Sequence, residues 1–344
     1  MLWTDIIDPA TLTGYARASL ADYEARKGTL ARWLPNRTVA DVVARFVAGQ
    51  TGLVNVASFR AYDAEPEIGK RQAGKRVTLE LPALGQNIPV SEYEQLRARG
   101  GNVSDAQALA TIQRTTDVVT RAVSDAIERM RGIVLQTGKA TISQANFQTE
   151  DDFGRAAGHT VVAATPWSTA TADALADLAT WSDTYEDANG EPPGSIVMSR
   201  RVLRSMANLN QFRTQLASGS TRPATVADVN AVVTAAGLPE ITVYNRRVSV
   251  DGVSTKVLSD DRVLLLPEAV DVDDWQGTEL GATFWGRTLT STDSDWGIED
   301  TEQPGIVAGV YRNPKPPMGI EVISDAIGLP VLANANLSFV ADVL

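Results

Sequence analysis

Cysteine is absent from this chain. That removes disulfide frameworks and thiolate metal sites at once. Histidine is nearly absent too, with His159, beside Gly158, the only one. One imidazole falls short of the several N or S ligands that zinc sites use. As a general base it would need a nucleophile and an orienting carboxylate, and no G-x-S-x-G elbow occurs. His159 therefore reads as a loop or strand-end residue. Gly138-Lys139 lacks the preceding G-x-x-x-x of a phosphate loop and reads as a helix terminator. No apolar run reaches the roughly 18–20 residues of a membrane span. Met1-Leu2-Trp3-Thr4-Asp5 lacks the basic start of a signal peptide, so the protein is expected to stay in the compartment where it is made.

Positive charge is the next shortage. Lys and Arg number 31 against 42 Asp and Glu, a net charge of −11. A sequence-specific DNA binder shows a basic face, which this balance argues against. It is compatible with simple solubility, and with a surface that faces nucleic acid while repelling it. Aromatics are dispersed and do not alternate with basic residues, so single-strand stacking has no platform. Glu150-Asp151-Asp152 and Asp271-Val272-Asp273-Asp274 lack the D-x-D-x-D-G grammar of a calcium loop and read as solvated charge. No catalytic, cofactor or metal constellation emerges, and the expectation is a protein that is not an enzyme.

What is present is a chain of 344 residues, 44% apolar and 21% charged, able to bury one full core or two smaller ones. Its most prominent stretch is 104–138. Leu109, Ile112, Val119, Val123, Ile127, Met130 and Val134, with Thr116 in the same row, recur every three or four residues. This spacing predicts one helix of about nine turns, roughly 50 Å long. Ser104 and Gln107 form a capping box, and Gly138 supplies the stop. Arg114, Asp117, Arg121, Asp125, Glu128, Arg129 and Arg131 are assigned to the opposite, outer flank, which makes a rod packed on one side.

Before it, 9–33 and 39–47 are predicted helical, the second ending at Gly49, and together they form an arm packed on other parts of the chain or on another subunit. Two strands, 54–62 and 76–81, alternate around a polar tip running from Asp63 to Lys75. Such a ribbon is marginal alone and needs a partner surface. After the rod, strands at 141–142 and 160–163 flank a polar turn at Glu150-Asp151-Asp152. Helices are expected at 168–185 (capped by Ser168), 200–217 and 225–236, and a loop at 186–194. Strands are expected at 195–199, 241–244, 248–250, 255–258, 263–267, 306–311, 319–323 and 336–343, with a hairpin turn at Asp251-Gly252. Pro314, Pro316 and Pro317 mark a bend. The mixture lacks a βαβ rhythm, which favours α+β.

A series of short motifs, in order along the chain, resembles the major capsid proteins of tailed phages, of the phage lambda capsid protein E type. They are Leu34-Pro35-Asn36-Arg37, Phe59-Arg60-Ala61-Tyr62-Asp63-Ala64-Glu65-Pro66-Glu67-Ile68-Gly69, Leu81-Pro82, Ile88-Pro89-Val90-Ser91-Glu92-Tyr93, Gly138-Lys139, Asp152-Phe153-Gly154 and Leu280-Gly281-Ala282-Thr283-Phe284-Trp285-Gly286. The resemblance implies the Hong Kong 97-type phage capsid fold. It implies an N-arm (1–55), an extended loop (56–95), a peripheral domain (96–165 and about 276–312) and an axial domain (166–275 and about 313–344). The implied function is a major capsid protein that self-assembles as pentamers and hexamers into an icosahedral or prolate shell around double-stranded DNA. A separate scaffolding protein, a portal and a decoration protein would be its partners, with no membrane, and the virion its place after assembly in the host cytoplasm. Expected contacts between subunits are Trp33, Arg37, Arg60, Glu65, Glu67, Lys70, Arg71, Lys75 and Arg76. A cargo-holding nanocompartment subunit, similar to encapsulins, is the alternative of the same fold.

Overall fold

Asp8 starts the first helix: its carboxylate accepts from the Thr11 N–H, Pro9 follows at the first helical position, and α1 runs over Pro9–Lys27. It ends at Gly28, at φ 80°, six residues short of the predicted end at 33. Leu30–Arg32 is a separate single turn capped by the Thr29 side chain. The computed structural model describes residues 2–48, 75–93, 95, 105–144, 147–212 and 224–344. In chain order there follow β1 (Asn36–Thr38), β2 (Val43–Ala48), β3 (Lys75–Glu80), β4 (Ala83–Val90), α2 (Asp105–Thr137), β5 (Lys139–Gln144), β6 (Phe147–Asp152), β7 (Thr160–Val162), α3 (Ala174–Asn189), β8 (Ser195–Met198), α4 (Arg200–Ala207) and α5 (Val226–Ala235). The remainder is β9 (Ile241–Val243), β10 (Arg247–Val250), β11 (Val253–Lys256), β12 (Arg262–Leu266), β13 (Gly281–Gly286), α6 (Leu289–Thr292), β14 (Val307–Arg312), β15 (Ile320–Leu332) and β16 (Phe339–Asp342).

Two sheets organise these elements. In the first, β15 is the common partner: β14 and then β13 pair along one flank, β4 pairs along the other, and β1 adds in parallel to β13. The second has the order β7-β16-β12-β8-β9. The 33-residue α2 packs against β15, β4, β5 and α1. Ile112 and Val119 of α2 bury with Leu12 and Ala16 of α1 and Val310 and Val322 of the first sheet. At the other end Val134 and Leu135 enter a core with Trp33, Phe284 and Leu329 that reaches Val197, Leu264 and Val340 of the second sheet. The far face of the second sheet is covered by α3, α4 and α5, around Trp167, Trp181, Phe212 and Phe339.

Several expectations are corrected. The stretch 39–47 is not a helix: Val43–Ala48 is a strand. Its β-branched residues and Phe46 favour the pleat, and the Phe46 ring stacks on Phe284 at 6.1 Å. The strand at 75–80 pairs with β2, Val43 opposite Glu80; the predicted partner at 54–62 lies outside the described residues, as does the Ser104 cap. Glu150-Asp151-Asp152 belongs to β6, where Glu150 and Asp152 both reach Lys139 across the hairpin, at 3.0 and 3.1 Å.

The third helix begins at Asp173 rather than Ser168. Two successive turns occupy 166–172, and the Asp173 side chain accepts from the Ala176 N–H. It continues to Asn189, through half of the predicted loop, and Gly190 closes it at φ 83°. The fourth helix stops at Ala207, residues 210–212 are helical again, and 213–217 of the predicted helix lie outside the described residues. The strand predicted at 319–323 runs on to Leu332 despite Gly328 and Pro330, and β13 was not expected at all.

Candidate functional site

Thr116, Thr120, Ser124, Glu128, Gly132 and Gln136 recur every fourth residue of α2, and all are buried. At 3.6 residues per turn such a row drifts by about 40° per step, so it winds slowly around the helix. Ser124, Glu128, Gly132 and Gln136 meet neighbouring elements, whereas the Thr116 and Thr120 hydroxyls are buried with no hydrogen-bond partner among the described residues. Ser124 Oγ donates to Glu24 of α1 at 2.8 Å. A Cβ at Gly132 would lie 2.4 Å from the Val257 carbonyl oxygen, so only glycine lets the chain after β11 pass so close. Gln136 donates to the same carbonyl at 3.1 Å and accepts from the Ser259 N–H at 2.9 Å.

Glu128, in the middle of the row, was expected on the outer flank, and Arg131 with it. The structure reverses this: Glu128 is 0% exposed and Arg131 2%. Burial of these charges is tolerable because each is satisfied. The Glu128 carboxylate accepts from the Leu30 N–H (2.7 Å), the Tyr244 hydroxyl (2.5 Å), the Thr29 hydroxyl (3.1 Å) and Arg131 Nη1 (3.0 Å). Arg131 also donates to Thr283 Oγ1 (2.9 Å) and to Asn36 Oδ1 (2.8 Å), which further accepts from the Trp285 indole (2.9 Å). Arg246, 3.8 Å from Glu128, donates to Asp125 (2.8 Å) and to the Gly28 carbonyl (3.1 Å).

Two carboxylates thus balance two guanidiniums. Burial, reinforced by Glu128, drives the Tyr244 phenol far above its ordinary range and keeps it a neutral donor. Burial works against the Arg246 charge, but Glu128 and Asp125 more than offset it and leave its pKa raised. The partners come from five parts of the chain: the segment after α1, α2 itself, β1, β13 and the link between β9 and β10. The arrangement is a joint. It holds the arm, the long helix and both sheets at one point, and its donors and acceptors, Arg246 Nε apart, are spent on each other.

The residues expected at subunit contacts lie in several places. Trp33 is a core residue, 2% exposed, its indole N–H donating to Ser195 Oγ at 2.9 Å, so it serves the inside of the protomer. Arg37 is half-buried, its guanidinium over Trp275 at 4.1 Å and Phe284 at 5.0 Å, in a groove of about 360 Å³ at the root of the β2–β3 ribbon. Lys75 and Arg76 pair through their backbones with Ala48 and Val47. Arg60, Glu65, Glu67, Lys70 and Arg71 lie outside the described residues.

His159 is buried beside the rings of Phe339 (5.5 Å) and Tyr185 (6.4 Å). Burial first, and then nearby Arg155, lower its pKa. Among the described residues no three acidic or imidazole side chains gather to hold a metal ion, and no helix is long and apolar enough to cross a membrane. The sequence signal for the joint was the four-residue row of small polar side chains itself, which marks a second buried flank.

The model of the family described as phage major capsid protein E matches residues 30–277. Among solved structures, the chain is similar to the protein assigned as the capsid protein of a prophage of Escherichia coli CFT073, at 15% identity over 98% of this chain and 99% of that one, with a TM-score of 0.64. It is similar as well to a phage-related protein of Bordetella bronchiseptica RB50, at 17% identity over 97% and 96% of the two chains, with a TM-score of 0.62. No curated protein sequence matches the chain. The family match covers more than half of the chain and the shared fold nearly all of it: the chain belongs to the phage major capsid protein E family, virion subunits of tailed phages that have the Hong Kong 97-type α+β fold and assemble with copies of themselves into the shell.

Proposed function

We propose that this subunit forms pentamers and hexamers that close an icosahedral or prolate head around double-stranded DNA. The observation that carries the proposal is the ribbon. β2 and β3 pair with each other, with Ala44, Phe46 and Leu79 buried in the main core, between β1 on one flank of the first sheet and β4 on the other. A two-stranded element rooted in the core of a body built along a 33-residue helix suits a subunit that reaches its neighbours. Energy in such a shell comes from many contacts, each modest.

In this reading residues 1–55 are the N-arm and 56–95 the extended loop, rooted on the β2–β3 ribbon. The peripheral domain takes 96–165 and about 276–312, and the axial domain 166–275 and about 313–344. Arg60, Glu65, Glu67, Lys70, Arg71, Lys75 and Arg76 serve contacts between copies. A scaffolding protein directs assembly in the host cytoplasm, a portal and a decoration protein complete the head, and the role is structural rather than enzymatic. The net charge of −11 fits an inner face that does not adhere to the genome.

Expression with and without a candidate scaffold, followed by negative-stain microscopy and an assay for nuclease-protected DNA in particles from infected cells, tests the proposal. Closed particles that protect DNA are expected. Particles that hold a protein cargo and no DNA would support the nanocompartment instead.

A further inference from the structure

Arg37 is the one residue expected at contacts between copies whose side chain the structure both describes and leaves with an open face. Its guanidinium carbon lies over the rings of Trp275 and Phe284, at 4.1 and 5.0 Å, so the aromatic faces hold the cation in place without supplying a hydrogen-bond acceptor. Among the described residues it has no carboxylate partner. The other groups of the groove do not supply one: Arg45 turns to Asp41 at 3.5 Å, and Glu279, exposed on the rim, ion-pairs with neither arginine. Burial already disfavours the charge and lowers the pKa of Arg37.

A planar cation that is half-desolvated, pre-oriented and unpaired is a receptor for a planar anion, because a carboxylate can take two parallel N–H···O bonds from it. The groove, about 360 Å³, has room for one side chain and its flanking backbone. The chain assembles with copies of itself, and those copies carry a large excess of carboxylates, 42 against 31 cationic side chains.

We infer that the Arg37–Trp275 groove receives an aspartate or glutamate side chain of a second copy of this chain and is one of the sockets that hold the shell together. This rests on the shell reading above and names the chemistry of one of its contacts. Charge-assisted pairing at a partly desolvated site is strong enough to matter in each of many repeated contacts.

Two measurements on the full chain test it. Arg37→Met keeps an unbranched apolar stem against the rings and removes the charge, and Arg37→Glu reverses it. The Met variant is expected to keep the wild-type unfolding midpoint as a protomer but to need about tenfold more protein to assemble. The Glu variant should not assemble. In a high-resolution reconstruction of wild-type particles, a carboxylate of a neighbouring copy should lie within hydrogen-bond distance of Arg37. Met-variant particles forming at the wild-type concentration, or a solvent-filled groove in the wild-type shell, would overturn the inference and leave the shell reading standing. A wild type that forms no particles would overturn the shell reading and this inference with it. The reconstruction decides the matter even where a variant does not fold.

Discussion

Glu128→Ala is the sharpest probe of the joint. The substitution deletes the acceptor of four hydrogen bonds and one longer ionic contact, in a place where the side chain has no exposure. The Leu30 N–H and the Tyr244 hydroxyl each lose the only hydrogen-bond acceptor they have among the described residues, which costs about 1–3 kcal/mol per group. Arg131 keeps Thr283 and Asn36, and Arg246 keeps Asp125, so the guanidiniums are weakened rather than abandoned.

Breaking one partner of a buried ion pair costs about 3–5 kcal/mol in comparable settings, and that range is the expectation for the whole change. Set against a total stability of about 5–15 kcal/mol, it is a large share. With a urea slope of about 3 kcal/mol/M, the unfolding midpoint of the unassembled protomer, followed by tryptophan fluorescence, should fall by about 1 M or more. Glu128→Gln, which keeps the shape and one acceptor oxygen, should fall less. A midpoint within about 0.2 M of wild type for the Ala variant would refute the reasoning, because it would mean that the carboxylate's partners are satisfied without it.

Three further outcomes are expected. Gly132→Ala would raise helix propensity by about 1 kcal/mol in a free helix, yet here the new methyl meets the Val257 carbonyl, so thermal unfolding should show a net loss of about 1–3 kcal/mol. His159 has a folded-state pKa below its ordinary 6.5, so its contribution is present above about pH 6.5 and is lost as pH falls through the lowered value. Thermal unfolding in a pH series should show that loss, and His159→Phe should flatten it. Thr225→Ala removes a reciprocal cap of α5, in which Thr225 and Asp228 bond each other's backbone N–H, and should cost about 1 kcal/mol in a chemical denaturation curve.

The sequence carried the long helix nearly to the residue, because seven apolar positions kept one period over about seven turns and Gly138 stopped it. Asp251-Gly252 likewise announced its hairpin, and both residues adopt positive φ. Where local signals conflicted with tertiary ones, they misled. Val39, Val42, Val43, Phe46 and Val47 are spaced as a helix would want, but the pairing of β2 with β3 decides the matter. Gly328 and Pro330 look like breakers. In β15 they are carried by β13, with Gly328 opposite Trp285 and Pro330 opposite Thr283. The joint was misread because a charged residue on a helix is normally solvated. Only the partners, drawn from chain positions about a hundred residues away or more, show that Glu128 belongs inside.

The geometry around β15 also bears on how a subunit transmits force. At about 3.3 Å per residue its 13 residues span roughly 43 Å, alongside a helix of roughly 50 Å. β4 braces one flank, and β14 and β13 succeed one another along the other. Tension along β15 therefore acts across its ladders in shear and loads their hydrogen bonds together, whereas a pull at right angles would peel them one after another. Helix and strand act as a laminated beam, stiff along its length and weakest to a load that lifts β15 out of the sheet.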